Sequence, residues 1–186
     1  GLFAYTERTL NPSVQICTFP DLMPTESLSF EGSTTEFTAV AFLRNGKQLA
    51  ALTGLPNPTL IVWRIGATSE LLATATLPVP CDALSINPSA DGSMCTLAGK
   101  KLLKWNLRLV YQTYLLTSTE VEFEPEDVAE QPDACVWTDH AWAVGDALYA
   151  GADTGTVTCV SKGQPARPVM RLEKAVKALL ASGSHL

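Results

Sequence analysis

Histidine is scarce in this chain, with two in 186 residues. His185 is next to last, and His140 follows Asp139 with no Gly-x-Ser-x-Gly turn to supply a triad nucleophile. A nucleophile and its base must be placed by a motif, not merely present, so His140 is read as structural and no catalytic residue is expected. The five cysteines, Cys17, Cys81, Cys95, Cys135 and Cys159, include no Cys-x-x-Cys pair. Neither a zinc site nor a disulfide framework is indicated; free thiols packing as small hydrophobes suit a reducing compartment. Cations are also few, 13 Lys and Arg against 19 Asp and Glu for a net charge of −6, and none occurs from Leu109 to Ser161. A grip on phosphates needs clustered cations, so nucleic acid is not an expected partner. No apolar run approaches the roughly eighteen residues of a membrane helix, and no membrane span is expected. Opening on Gly1 with no basic flank, the sequence is expected to be a piece of a longer chain. Gly145, Gly151 and Gly155 fall in hairpin turns and not between a strand and a helix, so no phosphate cradle is expected. The carboxylates lack calcium-loop spacing. No metal, cofactor or small-molecule substrate is expected.

What the chain does hold is a succession of short apolar segments rich in Val, Ile, Leu, Thr and aromatic residues, set apart by Gly, Pro, Asn and Asp. That is strand and turn chemistry. From Phe37 the segments are FTAVAFLR, KQLAALTG, TLIVWRI and ELLATATLP; from Cys81 they are CDALSINPS, SMCTLAG, KKLLKWNL and VYQTYLLTS. Laid over one another, both sets place an Asn-Gly or Asp-Gly turn (Asn45-Gly46, Asp91-Gly92) between the first two strands. Both place a tryptophan near the end of the third strand, Trp63 and Trp105, 42 positions apart. A period of about 40–45 residues is that of a four-stranded propeller blade. A third unit runs from Asp139 as DHAWAV, DALYAGADTG, TVTCVSKG and PVMRL, with Gly151 and Asp153-Thr154-Gly155 as its second turn and Val or Cys at the tryptophan position.

The expected fold is therefore all-β, a partial WD-repeat-type β-propeller of about three whole blades with partial blades at both ends. Residues 1–36 supply the last strands of one blade, 37–80 and 81–118 are blades, 119–138 an acidic inter-blade insertion, 139–172 a blade, and 173–186 the start of another. In that last stretch Ala175 to Ala181 is expected as a first strand and Gly183 as a turn, although Val169, Leu172, Val176, Leu179 and Leu180 recur at helical spacing.

Connections between blades are usually a few residues long, so the insertion stands out. It carries Glu120, Glu122, Glu124, Glu126, Asp127, Glu130 and Asp133, and ends near Trp137. Such a loop is either a solvated connection or a surface facing a basic partner. Glu120, Glu122, Glu124, Glu126, Asp127, Glu130 and Trp137 are the candidate partner-binding residues, with Trp137 either a loop anchor or an interface hot spot. Trp63 and Trp105 are expected in the core.

Several phrases resemble the WD-repeat cilia- and flagella-associated proteins. They are FAYTERTLNPSVQICTFPDL, TAVAFLRNGKQLAALTGLPNPTLIVWRI, ALSINPSADGSMCTLAGKKLLKWNL and DHAWAVGDALYAGADTGTVTCV, in that order from about Leu2 to Ser161. The Trp-Asp dipeptide of regular WD repeats is absent. The resemblance implies a subunit of the cilium or flagellum axoneme, part of the cytoskeleton, with tandem propellers followed by coiled coil. It also implies a role tethering inner-arm dynein to the doublet microtubule, and axonemal partners that include a sister WD-repeat subunit and inner-arm dynein components. A non-catalytic scaffold is the expected class. The rivals are a cytoplasmic WD-repeat adaptor in trafficking or ubiquitin ligation, and a propeller hydrolase or lyase whose acids or metal ligands would converge in the central channel.

Overall fold

The computed structural model describes residues 1–32, 35–121, 136–161, 164 and 166–181. Fifteen strands form four antiparallel sheets in the described residues, each a simple up-and-down meander. The first sheet is β1 (Leu2–Thr6), β2 (Ser13–Thr18) and β3 (Pro24–Ser29); the second is β4 (Phe37–Phe42), β5 (Gln48–Thr53), β6 (Thr59–Arg64) and β7 (Glu70–Thr76). The third is β8 (Leu84–Ile86), β9 (Ser93–Ala98), β10 (Lys101–Val110) and β11 (Thr113–Glu120), and the fourth is β12 (Trp137–Ala143), β13 (Ala147–Ala152), β14 (Thr156–Val160) and β15 (Arg167–Arg171).

The sheets stack face to face, which explains why the middle strands are apolar without alternation. Leu49, Ala51, Ile61 and Trp63 join Val14, Ile16 and Leu28 between the first and second sheets. The intervening Ala50, Leu52, Leu60 and Val62 turn the other way and meet Met94, Leu103, Trp105 and Leu107 of the third. Cys95, Leu97 and Leu102 then meet Trp137, Trp142, Leu148 and Ala150 of the fourth. The period-2 geometry of a strand sends neighbouring residues to opposite faces, so Leu49 to Leu52 and Leu60 to Trp63 are apolar without a break, with Gln48, Thr53, Thr59 and Arg64 at the strand ends.

The two tryptophans of the repeat occupy equivalent places. Trp63 pairs with Leu49 and Trp105 with Met94, each facing the preceding sheet, and Val160 stands there in the fourth, opposite Leu148. The Asn-Gly and Asp-Gly turns close with Gly46 at φ 66° and Gly92 at φ 72°, where a side chain would be strained.

Local differences from the expected organisation have physical causes. Trp105 lies mid-strand because β10 and β11 continue as a two-stranded ribbon past the end of β9. Ser118 to Glu120 complete β11, and Trp137 and Thr138 open β12, so both ends of the expected insertion belong to sheets. Gly151 lies inside β13 and not in a turn; a Cβ there would collide with Val176. Ala175 to Ala181 carry neither a strand ladder nor a helix. Instead Val176 is buried, its N–H donates to the Ala152 carbonyl at 3.0 Å, and its carbonyl accepts from the Thr138 hydroxyl at 2.6 Å. The equivalent hydroxyl of the second sheet, on Thr38, donates to the Cys81 carbonyl at 2.5 Å just ahead of β8. Val176 thus stands to the fourth sheet as Cys81 stands to the second. Gly183 lies outside the described residues.

Candidate functional site

Of the seven acidic-loop candidates, two are described. Glu120 ends β11, the outer strand of the third sheet, and its Oε2 accepts from Lys101 Nζ at 2.7 Å with both side chains about half exposed. Such a pair contributes at most about 1 kcal/mol. Trp137 is 6% exposed and packs between the third and fourth sheets. Of the two roles expected of it, this burial matches the anchor of β12 and not the interface hot spot. Glu122, Glu124, Glu126, Asp127 and Glu130 lie outside the described residues, as do Asp133 and Cys135.

The groups with chemistry in them serve the seams between sheets. His140, on β12, is 5% exposed, and its Nε2 lies 2.9 Å from the Cys95 carbonyl oxygen on β9. Burial lowers the imidazole pKa, with the hydrogen bond to Cys95 and the Asp139 charge acting weakly in the opposite sense. Proximity to a cysteine does not make a nucleophile–base pair, because the contact is to the backbone oxygen while the Cys95 thiol points to the Thr96 carbonyl at 3.9 Å. Burial pushes the Cys95 thiol up, and pushes Cys81 up to about 11 against a lesser lowering by Thr96. Nucleophilic cysteines need the reverse shift. Asp139 is spent on backbone, accepting from the N–H groups of His140 at 2.8 Å and Leu179 at 2.7 Å. The buried Asn87 reaches across the same seam to the Asp146 carboxylate. Among the described residues no three His, Cys, Asp or Glu side chains come together in a way that would hold a metal.

Apolar side chains in water mark the surfaces left for contact. The ribbon of β10 and β11 projects beyond β9 and carries Leu109 at 58%, Leu115 at 52% and, at its tip, Tyr111 at 97% exposure. Tyr111 adopts φ 57°, a left-handed conformation uncommon for a tyrosine, at the turn that closes the ribbon. On β1, Phe3 and Tyr5 stack with ring centroids 5.9 Å apart on the exposed face of the end strand. A third feature is a groove of about 580 Å³ between the outer strands of the first and second sheets, lined by Glu26, Phe30, Glu31, Trp63 and Leu71 among others. Sequence reasoning passed over all three. The length of strand-forming sequence on either side of Tyr111-Gln112 could have revealed the long ribbon, and the spacing of Glu26, Leu28 and Phe30 could have shown a carboxylate on an apolar face.

No family model and no curated protein matches the chain. Among solved structures it is similar to the crystal structure of the Myceliophteria thermophila Cps50 (Swd1) beta-propeller domain. The two are 12% identical with a TM-score of 0.72, and the match covers 95% of this chain and 55% of that one. At that identity the likeness is one of fold, and this chain spans about half the length of that domain. Four stacked antiparallel meanders with this likeness are part of a WD-repeat-type β-propeller.

Proposed function

We propose that the chain is a non-catalytic protein-interaction scaffold that docks partners through the projecting edges of its blades. The observation carrying this reading is the β10–β11 ribbon. It exposes Leu109, Tyr111 and Leu115 beyond the body of its sheet, while His140 Nε2 and the Thr38 hydroxyl are tied to main-chain carbonyls across the seams. Aromatic residues at protruding positions are typical energetic centres of protein interfaces. Propellers bury repeat against repeat and leave edges and loops for partners.

The phrase-level resemblance to the cilia- and flagella-associated WD-repeat proteins supports a finer version, in which this scaffold belongs to the axoneme and its partners include a sister propeller subunit and inner-arm dynein components. Two measurements test the readings separately. Leu109→Ser, Tyr111→Ser and Leu115→Ser together should abolish recovery of partners by the tagged full-length protein while leaving its melting temperature within a few degrees; undiminished recovery removes the ribbon from the interface. In ciliated cells the tagged protein should stay with the detergent-extracted axoneme. Release into the soluble fraction defeats the axonemal reading and leaves the scaffold reading standing.

A further inference from the structure

The seams between sheets differ at their outer rims. Between the second and third sheets the outer strands β7 and β11 pack on each other, and Leu72, Tyr114 and Leu116 fill the space. Between the first and second sheets the outer strands β3 and β7 do not come into comparable contact. What separates them is the groove of about 580 Å³.

Its walls are set by register. On β3, Glu26 pairs with Ile16 and Leu28 with Val14, and Val14, Ile16 and Leu28 all pack toward the second sheet, so Glu26 lies on that same face. Opposite, Leu71 pairs with Trp63, which also faces the first sheet. Leu71 remains 49% exposed although its neighbour Trp63 is buried. The lining thus combines an apolar floor, from Trp63, Leu71 and Phe30, with two carboxylates, Glu26 and Glu31, and no Lys, Arg or His. Neither carboxylate has an ion-pair partner among the described residues. The Ser69 hydroxyl, buried at the groove, has no hydrogen-bond partner among them either. Glu26 is partly exposed and Glu31 exposed, so both carboxylates are within reach of a cation that enters the groove.

The filled seam shows what kind of side chain suits such a place. There the Arg64 guanidinium lies 5.8 Å from the Tyr114 ring centre and 2.7 Å from Glu70 Oε2, joining an aromatic face to a carboxylate. We propose that the groove between β3 and β6–β7 binds an extended basic segment of a partner protein, with an Arg or Lys stem on Leu71 and Phe30 and its charged end between Glu26 and Glu31. The long aliphatic stem of either residue covers apolar surface while its head stays polar. The carboxylates supply the charge complement.

This proposal rests on the scaffold reading, and its test is chosen so that the two can fail independently. A fluorescent peptide of alternating Arg and Ser is titrated against the full-length protein at physiological ionic strength, beside the same peptide with citrulline for Arg. The Arg peptide should bind, and Glu26→Gln with Glu31→Gln should weaken it at least about tenfold, as loss of partly buried charge partners does. Leu71→Ser, which leaves the charge untouched, should weaken it as well. Neutralising Glu122, Glu124 and Glu126 in the acidic connection should not. Amides of residues 24–31 and 69–72 should gain hydrogen-exchange protection on binding. Equal affinity for the citrulline peptide, an unaffected double variant, or an equal loss in the acidic-connection variant overturns the proposal, and none of these outcomes touches the ribbon test.

Discussion

Lowering the pH should loosen the seam between the third and fourth sheets, and the size of the effect follows from one imidazole. His140 is buried, its Nε2 is committed to the Cys95 carbonyl, and its Nδ1 has no hydrogen-bond partner among the described residues. The neutral tautomer with the proton on Nε2 fits this site; a second proton would place a charge on Nδ1 with nothing to receive it. Burial accordingly lowers the pKa below the ordinary 6.5. The unfolded chain then takes up a proton that the folded chain refuses, so the stability contribution is complete above pH 6.5 and declines as pH falls toward the lowered native value. One proton limits the slope to about 1.4 kcal/mol per pH unit within that window. Urea midpoints measured at steps from pH 7.5 to 5 should show the decline, and His140→Gln, which keeps a donor amide but does not titrate, should flatten it by that amount. An identical pH slope in wild type and His140→Gln would refute the reasoning. Should His140→Gln prove too unstable to measure, the imidazole resonances followed by NMR give the native pKa directly, and a value of 6.5 or above would refute it equally.

Two further outcomes are expected. Trp105 donates from Nε1 to the Thr96 hydroxyl at 2.9 Å inside the core between the second and third sheets, so Thr96→Val, which leaves the indole N–H buried and unsatisfied, should cost about 1–3 kcal/mol in chemical denaturation; a cost under about 0.5 kcal/mol would mean that the bond does not hold the seam. Cys17, Cys81, Cys95 and Cys159 are free and buried, and with Cys81 pushed up to about 11 and Cys95 pushed up by burial, alkylation at pH 8 followed by peptide mass spectrometry should label these four only after unfolding. Rapid native labelling of Cys95 would contradict the packing of the third and fourth sheets.

The strand content was legible because a residue buried on both faces of a stacked sheet must be apolar whichever way it points. The centres of QLAALT and TLIVWR meet that demand, and in SMCTLA the one buried polar residue, Thr96, is bonded to Trp105; Gly46 and Gly92 take positive φ in the turns that lead into β5 and β9. Less legible was anything decided by a neighbour. The apolar spacing of Val169, Leu172, Val176, Leu179 and Leu180 is helical, yet only Val176 among them is buried, because the segment donates to the Ala152 carbonyl and the Asp139 carboxylate and accepts from the Thr138 hydroxyl. The acidic stretch ahead of Trp137 left an anchor and a contact residue both open to a local reading, and it is buried because β12 begins there. The groove escaped notice since its walls, β3 and β7, are separated by more than forty positions and meet across a seam that no local pattern encodes.

Thr38 and Thr138 join one structural unit to the next by giving a hydroxyl proton to a main-chain oxygen, on Cys81 and on Val176. Every amino acid carries that oxygen, so the receiving side of the joint imposes nothing on its own side chain beyond being small enough to be covered. A joint of this kind tolerates wide drift in the units it connects. The joint therefore places few demands on sequence, while surfaces such as the ribbon and the groove remain free to vary.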